Sequence, residues 1–150
     1  MILIDANALV LLIVGQIDPS LEHKRTRIYS KDDYSNLLLV IKDFRNLVVL
    51  PNVWTEVDNL LNGFKGERKW AYINAIKKLT TETTEEFLST ESGINSDYFI
   101  NVGLTDALLV ELGKRCNLLI TADSDLSDIA IAHGIRVYDT VHRRNESLRE

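Results

Sequence analysis

The sequence predicts an α/β fold: a central parallel sheet with helices on both faces, a three-layer sandwich forming one domain over residues 1–150. Three observations carry that prediction. Four short apolar runs recur, Ile2-Leu3-Ile4, Leu47-Val48-Val49-Leu50, Leu118-Leu119-Ile120 and Ile135-Arg136-Val137-Tyr138. The first three do not alternate with polar residues, which is the pattern of strands buried on both faces of a parallel sheet. Stretches with helical spacing lie between the runs, and strand–helix alternation leads through right-handed crossovers to a sandwich.

The elements follow in order. Ile2-Leu3-Ile4 opens the chain as a strand, and Ala8 to Val14 continues as a helix. Tyr34 to Phe44 carries Leu37, Leu38, Ile41 and Phe44 three or four apart, one face of a helix. The second strand leads to a helix from Asn52 to Leu61, with Asn52 as the expected N-cap. Trp70, Ile73, Ile76 and Leu79 recur at threes, which predicts a helix from Trp70 to Leu79 with Trp70 in the core. Leu104 to Cys116 precedes the third strand, and Leu126 to Ala132 precedes the fourth. Gly134 stands where a helix stop is wanted. The fourth run alternates, as an edge strand does. Gln16 to Lys31 and Thr80 to Asp97 read as loops, and the charged tail from Thr140 as a short exposed helix or a frayed end.

Bulk properties narrow the function classes. A chain of 150 residues holds a core without staples. One cysteine, Cys116, excludes an intrachain disulfide, and a reducing cytoplasm is the expected location. The start MILIDANALV lacks a basic leader and is broken by Asp5 and Asn7, so it reads as core, not as a signal sequence or a membrane span. A net charge of −5 argues against coating nucleic acid by counterion release alone. Setting four acids aside for a metal would bring that charge to −1.

The acids are placed in a telling way. Asp5 ends a strand buried on both sides, and Asp123 follows another. In open α/β sheets, ligands bind outside the carboxyl ends of the strands. On a wheel of about 100° per residue, Asp106 shares a face with Leu109, Val110 and Gly113, while Ala107, Glu111 and Lys114 fall on a side expected to face solvent. Glu56 and Asp58 border opposite edges of one apolar stripe, and periodicity does not choose between them. Each Asp alone also fits a helix cap. Jointly they raise a different chemistry. Two carboxylates about 4 Å apart repel by roughly 4 kcal/mol at an effective dielectric near 20. A hard divalent ion removes that penalty, takes oxygen ligands and lowers the pKa of a bound water.

Four stretches together resemble a PIN domain, a metal-dependent nuclease fold. They are Ile2-Leu3-Ile4-Asp5-Ala6-Asn7-Ala8-Leu9, Pro51-Asn52-Val53-Trp54-Thr55-Glu56-Val57, Gly103-Leu104-Thr105-Asp106-Ala107 and Leu119-Ile120-Thr121-Ala122-Asp123-Ser124-Asp125-Leu126. The acids occur as Asp, Glu after 51 residues, Asp after 50 and Asp after 17. The resemblance implies a parallel sheet of four or five strands with the acids at one rim, and it selects Glu56 over Asp58. It implies Asp5, Glu56, Asp106 and Asp123 as metal-binding and catalytic carboxylates for Mg²⁺ or Mn²⁺. It further implies Asp125 as an outer or alternative acid, Thr121 as a hydroxyl that orients a neighbour, and Asn7 as a supporting polar residue. The implied activity is hydrolysis of single-stranded RNA. The implied partners are an antitoxin protein, for the toxin of a toxin–antitoxin pair, and a second copy in a homodimer. A binding module without turnover, an RNA-processing nuclease without antitoxin, and a DNA nuclease or phosphatase on the same scaffold are the alternatives. Two features depart from the family pattern. Gln16 to Lys31 is longer than in compact members and reads as a flap beside the site, and the usual fifth strand is not visible.

Two basic stretches complete the inventory. Lys24, Arg25 and Arg27 follow His23, and Lys65, Arg68 and Lys69 precede Trp70. Both are candidate substrate contacts: a solvated loop explains the first equally well, and an aromatic beside the cations of the second can stack a base, although the spacing of Trp70 with Ile73 favours core packing. His23, His133 and His142 have no ligand spacing, and no Walker loop or GxGxxG is present. Asp5-Ala6-Asn7 lacks the second acid of the Asp-x-Asp start of haloacid-dehalogenase-type phosphatases.

Overall fold

The computed structural model describes residues 1–150. Five strands form one sheet: β1 (Ile2–Ile4), β2 (Leu47–Val49), β3 (Thr84–Glu85), β4 (Leu118–Thr121) and β5 (Val137–Asp139). Every pairing is parallel, and the order is β3-β2-β1-β4-β5. Eight α-helices flank it: α1 (Ala6–Ile17), α2 (Lys31–Ile41), α3 (Pro51–Leu61), α4 (Glu67–Glu82), α5 (Thr90–Ile94), α6 (Phe99–Gly113), α7 (Ser124–Ala132) and α8 (Thr140–Ser147). A single 3-10 turn, Phe44–Asn46, leads into β2. The fold is the expected α/β/α sandwich. No helix is long and apolar enough to cross a membrane.

The three non-alternating runs became the three inner strands because both their faces are covered. Leu3, Ile4, Val48, Val49, Leu119 and Ile120 are all buried, and each such side chain stabilises the fold by about 1.5–3 kcal/mol. Helix α1 is apolar on every side, and nine of its twelve residues are buried. It packs against α2, α3 and α4, as a helix without a polar face must. At Gly15 the ring of Tyr34 from α2 lies where a Cβ would stand, so only glycine admits this approach.

The strand order reverses beside β1. The chain moves outward from β1 through β2 to β3, and then returns to place β4 on the other side of β1. Leu3 pairs with Leu119 and Ile4 with Ile120, and the Asp5 amide extends this ladder by donating to the Ile120 carbonyl at 2.9 Å. The carboxyl ends of β1 and β4 therefore form the topological switch point, where an open α/β sheet leaves a crevice.

Several sequence expectations are corrected. The stretch from Thr80 to Asp97 is not a loop: it contains the end of α4, all of β3 and all of α5. Asn52 does not cap α3, because the helix starts one residue earlier, with Leu50 as N-cap and Pro51 in its first turn. Pro51 fits there because its missing N–H would be unpaired anyway. Phe44 belongs to the 3-10 turn and not to α2. Trp70 is 68% exposed, because α4 buries the face of Tyr72, Ala75 and Leu79 instead. Ala107 is buried, whereas Glu111 and Lys114, expected on the same solvent side of α6, are half-buried and exposed. The segment expected as a flap is anchored by buried Leu21, Thr26 and Tyr29. The Thr26 hydroxyl bonds the Leu21 carbonyl at 3.1 Å, and Tyr29 Oη lies 2.8 Å from Thr140 Oγ1.

Candidate active site

Asp5 and Asp123 do two jobs each. Asp5 caps α1: its Oδ1 accepts from the Ala6 amide at 2.5 Å. Its Oδ2 accepts from the Thr121 hydroxyl at 2.7 Å. The same hydroxyl oxygen accepts from the Asp123 amide at 3.0 Å. Asp123 in turn caps α7, with Oδ1 accepting from the amides of Asp125 and Leu126 at 2.8 and 3.1 Å. Its Oδ2 takes no hydrogen bond from the chain. Thr121 is thus the buried link that fixes both acids at the rim between β1 and β4. The cap explanation holds for both residues, and it uses only part of their capacity.

A third strand-end acid provides the contrast. Asp139, after β5, caps α8 through Oδ1 and accepts from the Ser127 hydroxyl at 2.8 Å through Oδ2. Both its oxygens are engaged, and it belongs to the scaffold.

Glu56 and Asp106 approach the rim from the helices α3 and α6. Asp106 owes its place to Gly103, where α6 breaks: φ is +79° and ψ 180°, a conformation for glycine alone. The helix restarts after this kink, which puts Asp106 in its new first turn. Below Asp106, Leu109, Val110 and Gly113 are buried, as the wheel predicts.

The four carboxylates act on one another. Burial raises the pKa of Asp5, partly offset by its bonds from Thr121 and Ala6, and the charge of Asp123 raises it further. Glu56 is raised by burial and by the charges of Asp5 and Asp123. Asp106 is pushed up to about 7, by burial first and then by Asp5, Asp123 and Glu56. Asp58 lies apart from this group. Its Oδ1 accepts from the Tyr72 hydroxyl at 2.7 Å and ties α3 to α4. Of the two acids of α3, Glu56 is thus the one that feels Asp5 and Asp123, and Asp58 is the one tied to Tyr72.

Other expected residues sit outside the cluster. Asp125 is exposed and reaches the network only through its backbone amide. Asn7 is exposed in the first turn of α1 and its side chain bonds nothing in the chain. No group of three or more His, Cys, Asp or Glu side chains is arranged so that together they could hold a metal ion.

Beside Glu56 and Asp106 an open cleft of about 800 Å³ runs between α3 and α6. Asn52, Thr55 and Asn59 line it from α3, and Thr105 from α6. Sequence reasoning passed over these four. The signal for three of them was present: Asn52, Thr55, Glu56 and Asn59 follow the three-and-four spacing of one helix face, polar throughout.

The basic stretches are partly brought together. Lys24, Arg25, Lys65 and Arg68 line a second cavity of about 490 Å³, with His23 and Phe64. Arg27 and Lys69 do not line it.

No family model matches this chain, and no curated protein matches it. Among solved structures it is similar to a domain of a functionally unknown protein from Methanocaldococcus jannaschii. That likeness has 17% sequence identity and a TM-score of 0.47, and covers 92% of this chain and 89% of the other.

Proposed function

We propose that this chain is a PIN-like endoribonuclease, dependent on Mg²⁺ or Mn²⁺, that hydrolyses phosphodiester bonds of single-stranded RNA. One observation carries the reading: Asp5, Glu56, Asp106 and Asp123 come from four separate elements, yet Glu56 and Asp106 each feel the charge of both strand-end acids. Mutual repulsion of this kind is a standing cost without a counterion. The four motifs that carry the family resemblance are the ones that hold these acids.

The donor set fits a hard divalent ion. It is all carboxylate oxygen, it opens on a polar cleft, and Mg²⁺ commonly retains several waters while using one or two carboxylates. No three of these side chains are arranged to grip an ion together, so it would be held by one or two carboxylates directly and by the others through water. Asp5, Asp106 and Asp123, with Glu56 at the cleft wall, would hold the ion. Bound there, it would supply positive charge for the phosphate oxygens and for the attacking water.

The chain's own residues supply the rest. Thr121 holds the Asp5 carboxylate in one orientation. Asp123 keeps Oδ2 free while its Oδ1 is spent on α7. Asn52, Asn59, Thr55 and Thr105 offer donors and acceptors for a ribose–phosphate strand lying in the cleft. In the reaction a water oxygen bonds to phosphorus, the bridging P–O bond breaks, and the leaving oxygen takes up a proton.

Within this reading the protein is a cytoplasmic toxin silenced by an antitoxin, and it pairs with a second copy. An RNA-processing nuclease without antitoxin would use the same chemistry. A short adjoining reading frame whose product binds the chain and stops cleavage distinguishes the toxin. A second reading, a PIN-like module that binds RNA or protein without turnover, draws on the absence of any three acids arranged to hold an ion together. One assay separates enzyme from module: purified protein is incubated with mixed RNAs, with and without EDTA, beside the Asp5→Asn variant. Cleavage abolished by chelator and by Asp5→Asn supports the enzyme. Binding without products supports the module.

A further inference from the structure

The two basic stretches, separated by some forty residues, meet in one cavity. Lys24 and Arg25 come from the segment after α1, and Lys65 and Arg68 from the turn into α4 and its start. None of the four forms an ion pair; the chain's ion pairs involve Arg45, Lys114, His142 and Arg143 only. Asp18, whose charge reaches both His23 and Arg68, is instead bonded to Ser20. Four unpaired cations around one hollow favour an anion between them.

The hollow also has an aromatic wall. The His23 and Phe64 rings lie 5.2 Å apart, and Phe64 leans on Tyr72 at 5.7 Å. His23 Nδ1 accepts from the Arg25 amide at 3.1 Å, which fixes the ring. Burial and the neighbouring cations Lys24, Arg25 and Arg68 lower its pKa, so the imidazole is neutral near pH 7. Cations that track a backbone beside rings that accept a base are the elements of a single-strand site.

Asn59 joins this hollow to the acid cleft, since it lines both. From Glu56 to Asn62 the helix axis covers about 9 Å, a length that a few nucleotides span.

We propose that Lys24, Arg25, Lys65 and Arg68 form a phosphate clamp, with the His23–Phe64 rings as a base platform, for the RNA strand whose scissile bond lies in the acid cleft. This proposal rests on the RNA reading given above. The clamp holds the strand by its backbone beyond the cut and leaves the base sequence largely unread.

The test is direct binding of a fluorescent RNA 12-mer to the full chain in EDTA, which withholds the metal that cleavage needs, across a salt series. For single strands each phosphate neutralised contributes about −0.7 to the slope of log affinity against log salt. The double variant Arg25→Gln/Arg68→Gln is expected to bind at least tenfold more weakly, with a slope shallower by about 1.4. Phe64→Ala is expected to weaken binding without changing the slope. Thermal melting confirms that each variant is folded, and Lys65→Gln is the substitute if one is not. Unchanged affinity and slope in the double variant overturn the clamp. So does equal displacement of the RNA by polyglutamate of matched charge, which marks a general acid-binding surface. Cleavage by wild-type protein in Mn²⁺ is read separately. Clamp-dependent binding without cleavage sinks only the enzyme, and cleavage with an unaltered double variant sinks only the clamp.

Discussion

The Thr121 hydroxyl donates to Asp5 Oδ2 at 2.7 Å, joining the ends of two neighbouring parallel strands across 116 residues of sequence. The bond is buried at both ends, and its oxygen also receives the Asp123 amide. Thr121→Val keeps the shape of the side chain and removes both functions. Bonds to charged groups contribute about 1.5–3 kcal/mol, so we expect a stability loss of that order by urea denaturation. RNA cleavage falls further than stability does, because Asp5 loses its orientation. Thr121→Ser restores most of both; equal activity in the Val and Ser variants would refute the role.

Asp106 sets a pH dependence. Its carboxyl titrates at about 7 in the fold, against 3.8 as the ordinary value. The folded state therefore holds its proton more tightly than the unfolded chain does. This contribution is fully present below about pH 4 and is lost as pH rises through about 7. The group is partly exposed, and screening leaves about 1–2 kcal/mol of the effect. In EDTA, Asp106→Asn is expected to match wild type at low pH and to exceed it in stability at pH 8; in Mn²⁺ it is expected to cleave no RNA. An Asn variant less stable than wild type at pH 8 would contradict this.

Cation binding reverses the same penalty. At pH 8, Mn²⁺ at a hundred times its dissociation constant is expected to stabilise the protein by about 2.7 kcal/mol. The shift is read by thermal melting, and it shrinks in Asp5→Asn and in Asp123→Asn. A wild-type melt indifferent to Mn²⁺, Mg²⁺ and EDTA alike would remove the metal from the proposal.

Glu56 and Asp58 lie two residues apart and have different fates. Glu56→Gln is expected to lower cleavage at least tenfold with stability unchanged or slightly raised. Asp58→Asn is expected to leave cleavage near wild type and cost about 1 kcal/mol through its bond with Tyr72. The reverse outcome would exchange their roles.

Gly103→Ala tests the break in α6. A Cβ meets open space there, so the cost is backbone strain at φ +79° alone. Strain of this kind costs about 1–3 kcal/mol. If the chain relieves it by straightening the helix, Asp106 leaves the cleft and activity drops more than the melting temperature accounts for.

The inner sheet was legible because its strands have no solvent face. Leu47-Val48-Val49 admits little besides a buried strand, and Ile2-Leu3-Ile4 likewise. β3 was illegible for the opposite reason: Thr84 and Glu85 are two polar, exposed residues that extend only because Val48 and Val49 offer a free edge. Trp70 misled because its spacing with Ile73 and Ile76 matches a face of α4 that is only half covered. The anchored segment before α2 depends on Tyr29 meeting Thr140, a contact between distant parts of the chain that no local pattern encodes. At the site, Asp5, Asp106 and Asp123 were marked by where strands and apolar stripes end. The cleft asparagines were passed over because amides on a helix surface look like ordinary solvated residues until a neighbouring helix faces them.

The short β3 has a bearing on assembly. An unpaired border of backbone amides and carbonyls invites a second chain to add on, and natural sheets resist this with brevity and charge. Here the border is two residues long and carries Glu85, so stacking of one sheet onto the next is blocked on that flank. A second copy would therefore have to meet this protein somewhere other than the β3 border.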